Sequence, residues 1–178
     1  MLNNISSLPD GSRIFIDSNI FTYFLLKREE YYNNVKLFFK RIDEKKLIGF
    51  INSIVISETH FNYLRVKLSE KYNASLKDFP KLIKDKPEIL NEISIEVVEE
   101  ILSLENIKFL EYRPEADIKY FISKYSLLPN DAINVATCKL YNIEDIATND
   151  NDFNRVDFLN VFRPWSASFK RHPASVTS

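Results

Sequence analysis

One cysteine, two glycines and two histidines among 178 residues remove several chemistries at the outset. Cys138 alone permits no internal disulfide, and with only His60 and His172 beside it no Cys/His set has zinc-ligand spacing. Two glycines leave no phosphate-cradling Gly-rich loop and no Gly-x-Ser-x-Gly nucleophile turn. No apolar run approaches the roughly 20 residues that a membrane span requires. The opening MLNNISSLPDGSR has neither a basic start nor an apolar signal core. An excess of one charge is missing too: 24 Lys and Arg stand against 25 Asp and Glu, a formal net charge of −1. Global electrostatics therefore name no polyanionic partner, and any nucleic-acid contact has to come from local groups. A soluble protein of the reducing cytoplasm is expected, with no membrane partner.

Hydrophobic residues are plentiful at 45%, ample for a continuous core at a length close to one ordinary domain. One domain over 1–178 is expected. RIFI at 13–16 follows the turn-forming Pro9-Asp10-Gly11 and reads as a strand covered on both faces. A helical pattern of one or two helices runs from Asn19 to about Lys46. A second strand at 47–51 leads through Asn52 and Ser53, good helix caps, into a helix carrying Glu58, Phe61, Leu64 and Leu68. Residues 69–105 are charged, helical in pattern and interrupted by Pro80 and Pro87, which suggests an inserted helical layer. A third strand is expected at 107–110, helices at 114–125 and 131–141, a fourth strand at 145–148 and a fifth at Val161-Phe162. From 166 to 178 periodicity is lost and a mobile tail is expected. This alternation argues for an α/β fold: a three-layer α/β/α sandwich around a parallel sheet of four to five strands.

Four acids fall where these strands end or helices begin: Asp17, Glu58, Asp131 and Asp150. In parallel sheets ligands collect beyond the carboxyl ends of the strands, and all four positions belong to that rim. Each acid is flanked by apolar residues that draw it inward, where an unpaired carboxylate is costly or protonated. A divalent cation resolves that conflict. Phosphodiester hydrolysis needs an activated water and compensation of phosphoryl charge, and hard cations held by carboxylates supply both.

The order of these segments (IFIDSNIF, SIVISETHF, PNDAINVATC and IATNDNDF) resembles the PIN-domain nucleases over roughly residues 12–163. Carried over position by position, the family's acidic quartet falls on Asp17, Glu58, Asp131 and Asp150, with Asp152 competing for the fourth place. Ser18, Asn19 and Thr148 are the small polar neighbours that the family's motifs favour. The resemblance implies magnesium or manganese as cofactor and hydrolysis of single-stranded or loop RNA. It further implies a homodimer and a place as the toxin of a VapBC-type pair, restrained by an antitoxin. Asn134, three residues after Asp131, is a candidate to support the acids, and Arg65, seven after Glu58, a candidate to meet RNA phosphate. The long helical stretch keeps other readings open: an RNA-processing nuclease, a structure-specific DNA nuclease, or a PIN-like module that binds RNA or protein without cutting.

Plainer explanations stand beside each acid. Asp17 and Asp131 are candidate helix caps, and Asp150 with Asp152 a candidate Asx turn before Phe153. Four unrelated caps have no reason to gather at one rim. Cys138, Phe38, Phe39, Phe61 and Phe121 sit in helical patterns that core packing explains, whereas Tyr31 and Tyr32 suit either base stacking or a dimer contact.

Overall fold

A computed structural model describes residues 3–113 and 117–165. Its strands are β1 (Asn3–Asn4), β2 (Arg13–Ile16), β3 (Ile48–Ile51), β4 (Ile107–Phe109), β5 (Asp145–Ala147) and β6 (Asn160–Arg163). Its α-helices are α1 (Ser18–Leu25), α2 (Glu29–Asp43), α3 (Ser53–Lys71), α4 (Phe79–Asp85), α5 (Glu96–Leu102), α6 (Ile118–Tyr125) and α7 (Pro129–Leu140). All strand pairs are parallel, in the order β1-β6-β5-β2-β3-β4. Among the described residues the sheet thus has six strands, not four or five. The additional one, β1, is two asparagines set against Phe162 and Arg163 of β6, and so short a polar segment carries no hydrophobic pattern.

From β2 the chain steps outward to β3 and β4, then returns to β5 on the other side of β2. The direction of winding therefore reverses between β2 and β5, and right-handed crossovers put the two sets of helices on opposite faces. A crevice forms at the carboxyl ends of strands that part in this way. Asp17 follows β2 there and Thr148 follows β5; the Asp17 amide donates to the Ala147 carbonyl at 3.0 Å, closing the ladder beneath them.

The core is continuous from Ile5 to Val156, with Phe15, Phe21, Phe38 and Phe153 among its largest buried side chains. Gly49 admits Ile16 into this layer, since a Cβ there would lie 2.6 Å from Ile16 Cδ1. Cys138 is buried, as its apolar helix face suggests. Beyond the main core, Leu68, Phe79 and Ile89 form a small second cluster where α4 and the short 3-10 turn Pro87–Glu92 fold against the end of α3. Phe38, Phe39 and Phe121 are buried, but Phe61 is 49% exposed. Its ring lies edge-on to Phe79 at 5.7 Å on a side of α3 that α4 covers only in part. The expected helix at 114–125 starts at Ile118, and residues 114–116, like the expected tail at 166–178, lie outside the described residues. No helix among the described residues is long and apolar enough to cross a membrane.

Candidate active site

Asp17 occupies the N-cap position of α1 yet makes no cap hydrogen bond with its side chain. Its carboxylate turns to other partners. Thr148 Oγ1 donates to Oδ2 at 2.6 Å, Asn19 Nδ2 donates to the same oxygen, and Ser18 Oγ lies 3.4 Å from Oδ1. Ser18 Oγ also donates to Glu58 Oε2 at 2.9 Å, while Asn130 Nδ2 donates to Glu58 Oε1 at 2.7 Å. Glu58 is therefore fixed from α1 and α7 together; no ion pair with Arg65 holds it.

The helices bearing Glu58 and Asp131 are locked to each other by a buried amide set. Asn52 caps α3 by accepting from the Val55 amide at 3.1 Å, and its Nδ2 donates to Asn134 Oδ1 at 2.9 Å and to Thr137 Oγ1 at 3.2 Å. Asn134 therefore touches none of the acids; its amide is spent on Asn52, which ties the start of α7 to the start of α3. Both asparagines are essentially without solvent exposure, so the pairing of their amides is what makes their burial tolerable.

Asp131 sits in the first turn of α7, where Leu128 holds the cap position, and carries no capping bond. Its carboxylate oxygen, with one each from Asp150 and Asp152, forms a group whose members all lie within 4.8 Å of one another. Asp150 does make the local turn anticipated for it, accepting from the Asp152 amide at 2.8 Å through one oxygen. Asp152 is also drawn toward Arg155 Nη2 at 3.1 Å. Arg163, missed in the sequence because it lies ten residues beyond the motif, is 2% exposed and underpins this loop. Its Nη1 donates to the Thr148 and Asp150 carbonyls at 3.2 and 2.8 Å, and its Nη2 to the side chains of Asn151 and Asn154. Arg65 is half-buried and lies over the Phe61 ring at 5.6 Å, two turns along α3 from Glu58.

The electrostatics bind the five acids into one cluster. Burial raises the Asp17 carboxyl to about 7, the Thr148 hydrogen bond opposes that rise, and the charges of Glu58 and Asp131 add to it. Burial likewise raises Asp131 to about 6, with Asp150, Glu58 and Asp152 contributing and Arg155 opposing. Such a group is under-compensated. Arg155, at 3.1 Å from Asp152, is a lone partial counter-charge for five acids whose ligand atoms are all hard oxygens, the properties that suit a divalent cation such as magnesium or manganese.

A PIN domain model matches residues 14–159. The chain belongs to the PIN domain family. Among curated relatives, Ribonuclease VapC2 of Methanocaldococcus jannaschii is 38% identical over 152 residues, covering 85% of this chain and 94% of that protein. Ribonuclease VapC6 of the same organism is 32% identical over 161 residues, covering 85% and 97%. Among solved structures, Mycobacterium tuberculosis VapC20, described as a sarcin-ricin loop cleaving toxin, aligns with a TM-score of 0.54 at 12% identity over 84% of this chain and 98% of its own. VapBC2 from Rickettsia felis, bound to a DNA fragment from its promoter, aligns with a TM-score of 0.50 at 20% identity over 86% and 99%. At those identities the structural likeness speaks for the PIN fold, and the curated relatives carry the link to ribonucleases.

Proposed function

We propose that this PIN-domain protein is a metal-dependent endoribonuclease that hydrolyses phosphodiester bonds in single-stranded or loop RNA, and that it is the toxin of a VapBC-type pair. The observation that carries the reading is the convergence of Asp131, Asp150 and Asp152 oxygens within 4.8 Å, with Asp17 and Glu58 coupled into the same field. The names of the two curated relatives support ribonuclease activity and membership of such a pair.

Asp17, Asp131 and Asp150 are the residues assigned to hold magnesium or manganese, with Asp152 beside them and Glu58 as a ligand through water or the group that orients it. A bound cation of this kind supplies an activated water and charge compensation at phosphate. The chain's own side chains do the rest. Thr148 and Asn19 aim Asp17, Ser18 and Asn130 fix both oxygens of Glu58, and the Asn52–Asn134 pair sets the angle between the helices that bring Glu58 and Asp131 together. Each support reduces the reorganisation needed at the moment of reaction. Arg65 is assigned to RNA phosphate farther along α3. The family reading also carries a cytoplasmic homodimer and an antitoxin that masks the acids.

The test is cleavage of a single-stranded RNA oligonucleotide with manganese or magnesium, against EDTA and against the matching DNA. RNA cleavage that needs the cation and is lost in Asp17→Asn supports the reading; a rate indifferent to EDTA sinks it. For the toxin role, expression should arrest growth, Asp17→Asn should not, and the product of a small neighbouring reading frame should restore growth.

A further inference from the structure

Beside the acids lies an open cavity of about 460 Å³, lined by Asn19, Tyr23, Asn149, Asp150, Asn151 and Asp152. That volume is within the range of small-ligand sites. Two of its members are acids already assigned to the cation. The opposite wall is amide and phenol, and apart from Asn19, which holds Asp17, cation binding gives it no task.

This wall is built rather than incidental. The Asn149 amide N–H donates to Asn19 Oδ1 at 3.2 Å, which ties it to the residue that also holds Asp17 and Thr148. Asn149 Nδ2 donates to the hydroxyl oxygens of Tyr23 at 3.0 Å and Tyr31 at 3.3 Å. The two tyrosine rings stack with centroids 4.2 Å apart and planes 23° from parallel. Tyr31 therefore backs one face of Tyr23 while Tyr23 lines the cavity. With its amino group so engaged, Asn149 keeps Oδ1 without a donor among the described residues. Asn151 is the converse: its Oδ1 accepts from Arg163 Nη2 at 3.3 Å, and its Nδ2 has no acceptor among the described residues. An aromatic ring held rigid from behind, flanked by one open acceptor and one open donor, matches what an unpaired base presents: a π face and an edge with both kinds of group.

We propose that this wall is a subsite for one unpaired nucleobase next to the scissile phosphate, stacked on Tyr23 and read along its edge by Asn149 and Asn151. The inference rests on the nuclease reading and adds to it a place where sequence is recognised. Position argues for the base nearest the cut. Asn149 immediately precedes Asp150, so a base seated here brings its own phosphate to the acids.

The experiment uses the wild-type protein, manganese, and a set of RNA oligonucleotides in which single nucleotides around the cleaved bond are replaced by abasic residues. An abasic residue at one position flanking the cut should slow cleavage about tenfold or more, the size expected for losing one base–aromatic contact. Abasic residues two or more positions away should have smaller effects. Tyr23→Leu should shrink that positional penalty, Tyr23→Phe should keep most of it, and Asn149→Ala should flatten any preference among the four bases there. If the parent RNA is cut but every abasic substrate is cut equally, the subsite is wrong and the nuclease stands. If the positional penalty survives unchanged in Tyr23→Leu, the base is held elsewhere and the proposal is overturned. If the parent RNA is not cut at all, the nuclease reading fails and the subsite falls with it.

Discussion

Thr148 Oγ1 donates its one proton to Asp17 Oδ2 at 2.6 Å, and accepts from Asn19 Nδ2 and from the Asp150 amide, both at 3.0 Å. A hydroxyl has one donor and two acceptor sites, so this one is fully used. It joins the end of β2, the first turn of α1 and the loop after β5 into a single bracket around the acids. Thr148→Val keeps shape and removes all three bonds. Since the Thr148 bond opposes the rise in the Asp17 carboxyl, its loss should raise that group further. Activity with saturating manganese should fall about 10- to 100-fold, the usual range for groups that orient metal ligands. The acid limb of the pH–rate profile should move to higher pH; a rate loss with an unmoved profile would make Thr148 a purely structural residue.

The raised carboxyls also set how the metal-free protein responds to pH. Asp17 and Asp131 titrate higher in the folded chain, about 7 and about 6, than an ordinary aspartate at 3.8. Between those limits the folded state holds protons that the unfolded state has released, so stability decreases as pH rises. The contribution is fully present below about 4 and is lost by about pH 7. With EDTA the melting temperature should therefore fall across that window once the remaining groups are matched by the Asp17→Asn variant as reference. Manganese at pH 7.5 should reverse the loss by favouring the ionised forms, and should do so less at pH 5.5. A melting temperature insensitive to manganese at pH 7.5 would count against a cation at these acids.

Strand-end acids were legible in the sequence because a short apolar run followed by Asp is a local pattern, and the parallel-sheet rule turns local positions into a shared rim. Asp17, Glu58, Asp131 and Asp150 do come to one rim in the fold. What the sequence does not encode locally is who holds them. Asn130 reaches Glu58 from 72 residues away, and Arg163 reaches back from β6 to the Thr148 and Asp150 carbonyls. Neither has a periodic or spacing signal, since a polar side chain is silent about its partner until the topology is known. β1 escaped for the same reason: two asparagines become a strand only because β6 offers them a parallel edge. Phe61 erred in the opposite direction, because helical spacing describes a face and leaves open whether a neighbour covers it.

Asn130 offers a direct test of one of these unsignalled supports. It is an exposed residue at the start of α7 whose Nδ2 donates to Glu58 Oε1 at 2.7 Å. Asn130→Ala should leave the melting temperature within a degree or two, because a surface substitution away from the core usually changes stability little. It should nevertheless lower the cleavage rate about tenfold, as loss of a hydrogen bond that orients a ligand does. Glu58→Gln should cost more. In the double variant the Asn130 change should add almost nothing, because residues acting through one contact are not additive. Full additivity would mean that Asn130 acts on RNA rather than through Glu58.

Arg163 makes the strongest claim on stability and site together. The guanidinium is buried and spreads its bonds over the Thr148 and Asp150 carbonyls and the Asn151 and Asn154 side chains, so the loop from 148 to 154 is built around one cation. Arg163→Met keeps an apolar stem of similar reach and deletes every donor. The two asparagine side chains recover water readily, but the buried Thr148 carbonyl loses its guanidinium donor, so the cost should be about 2 to 4 kcal/mol in chemical denaturation. Asp150 and Asp152 follow directly in the released loop, and their oxygens should no longer be kept close to Asp131. The manganese-induced rise in melting temperature should therefore shrink even at temperatures where the variant is fully folded. Arg163→Lys should recover part of the stability, since one ammonium reaches one or two of these acceptors in place of the planar fork. An Arg163→Met protein that is destabilised yet binds manganese as well as the wild type would separate the loop's folding from the geometry of the acids, and would place the anchor of Asp150 elsewhere.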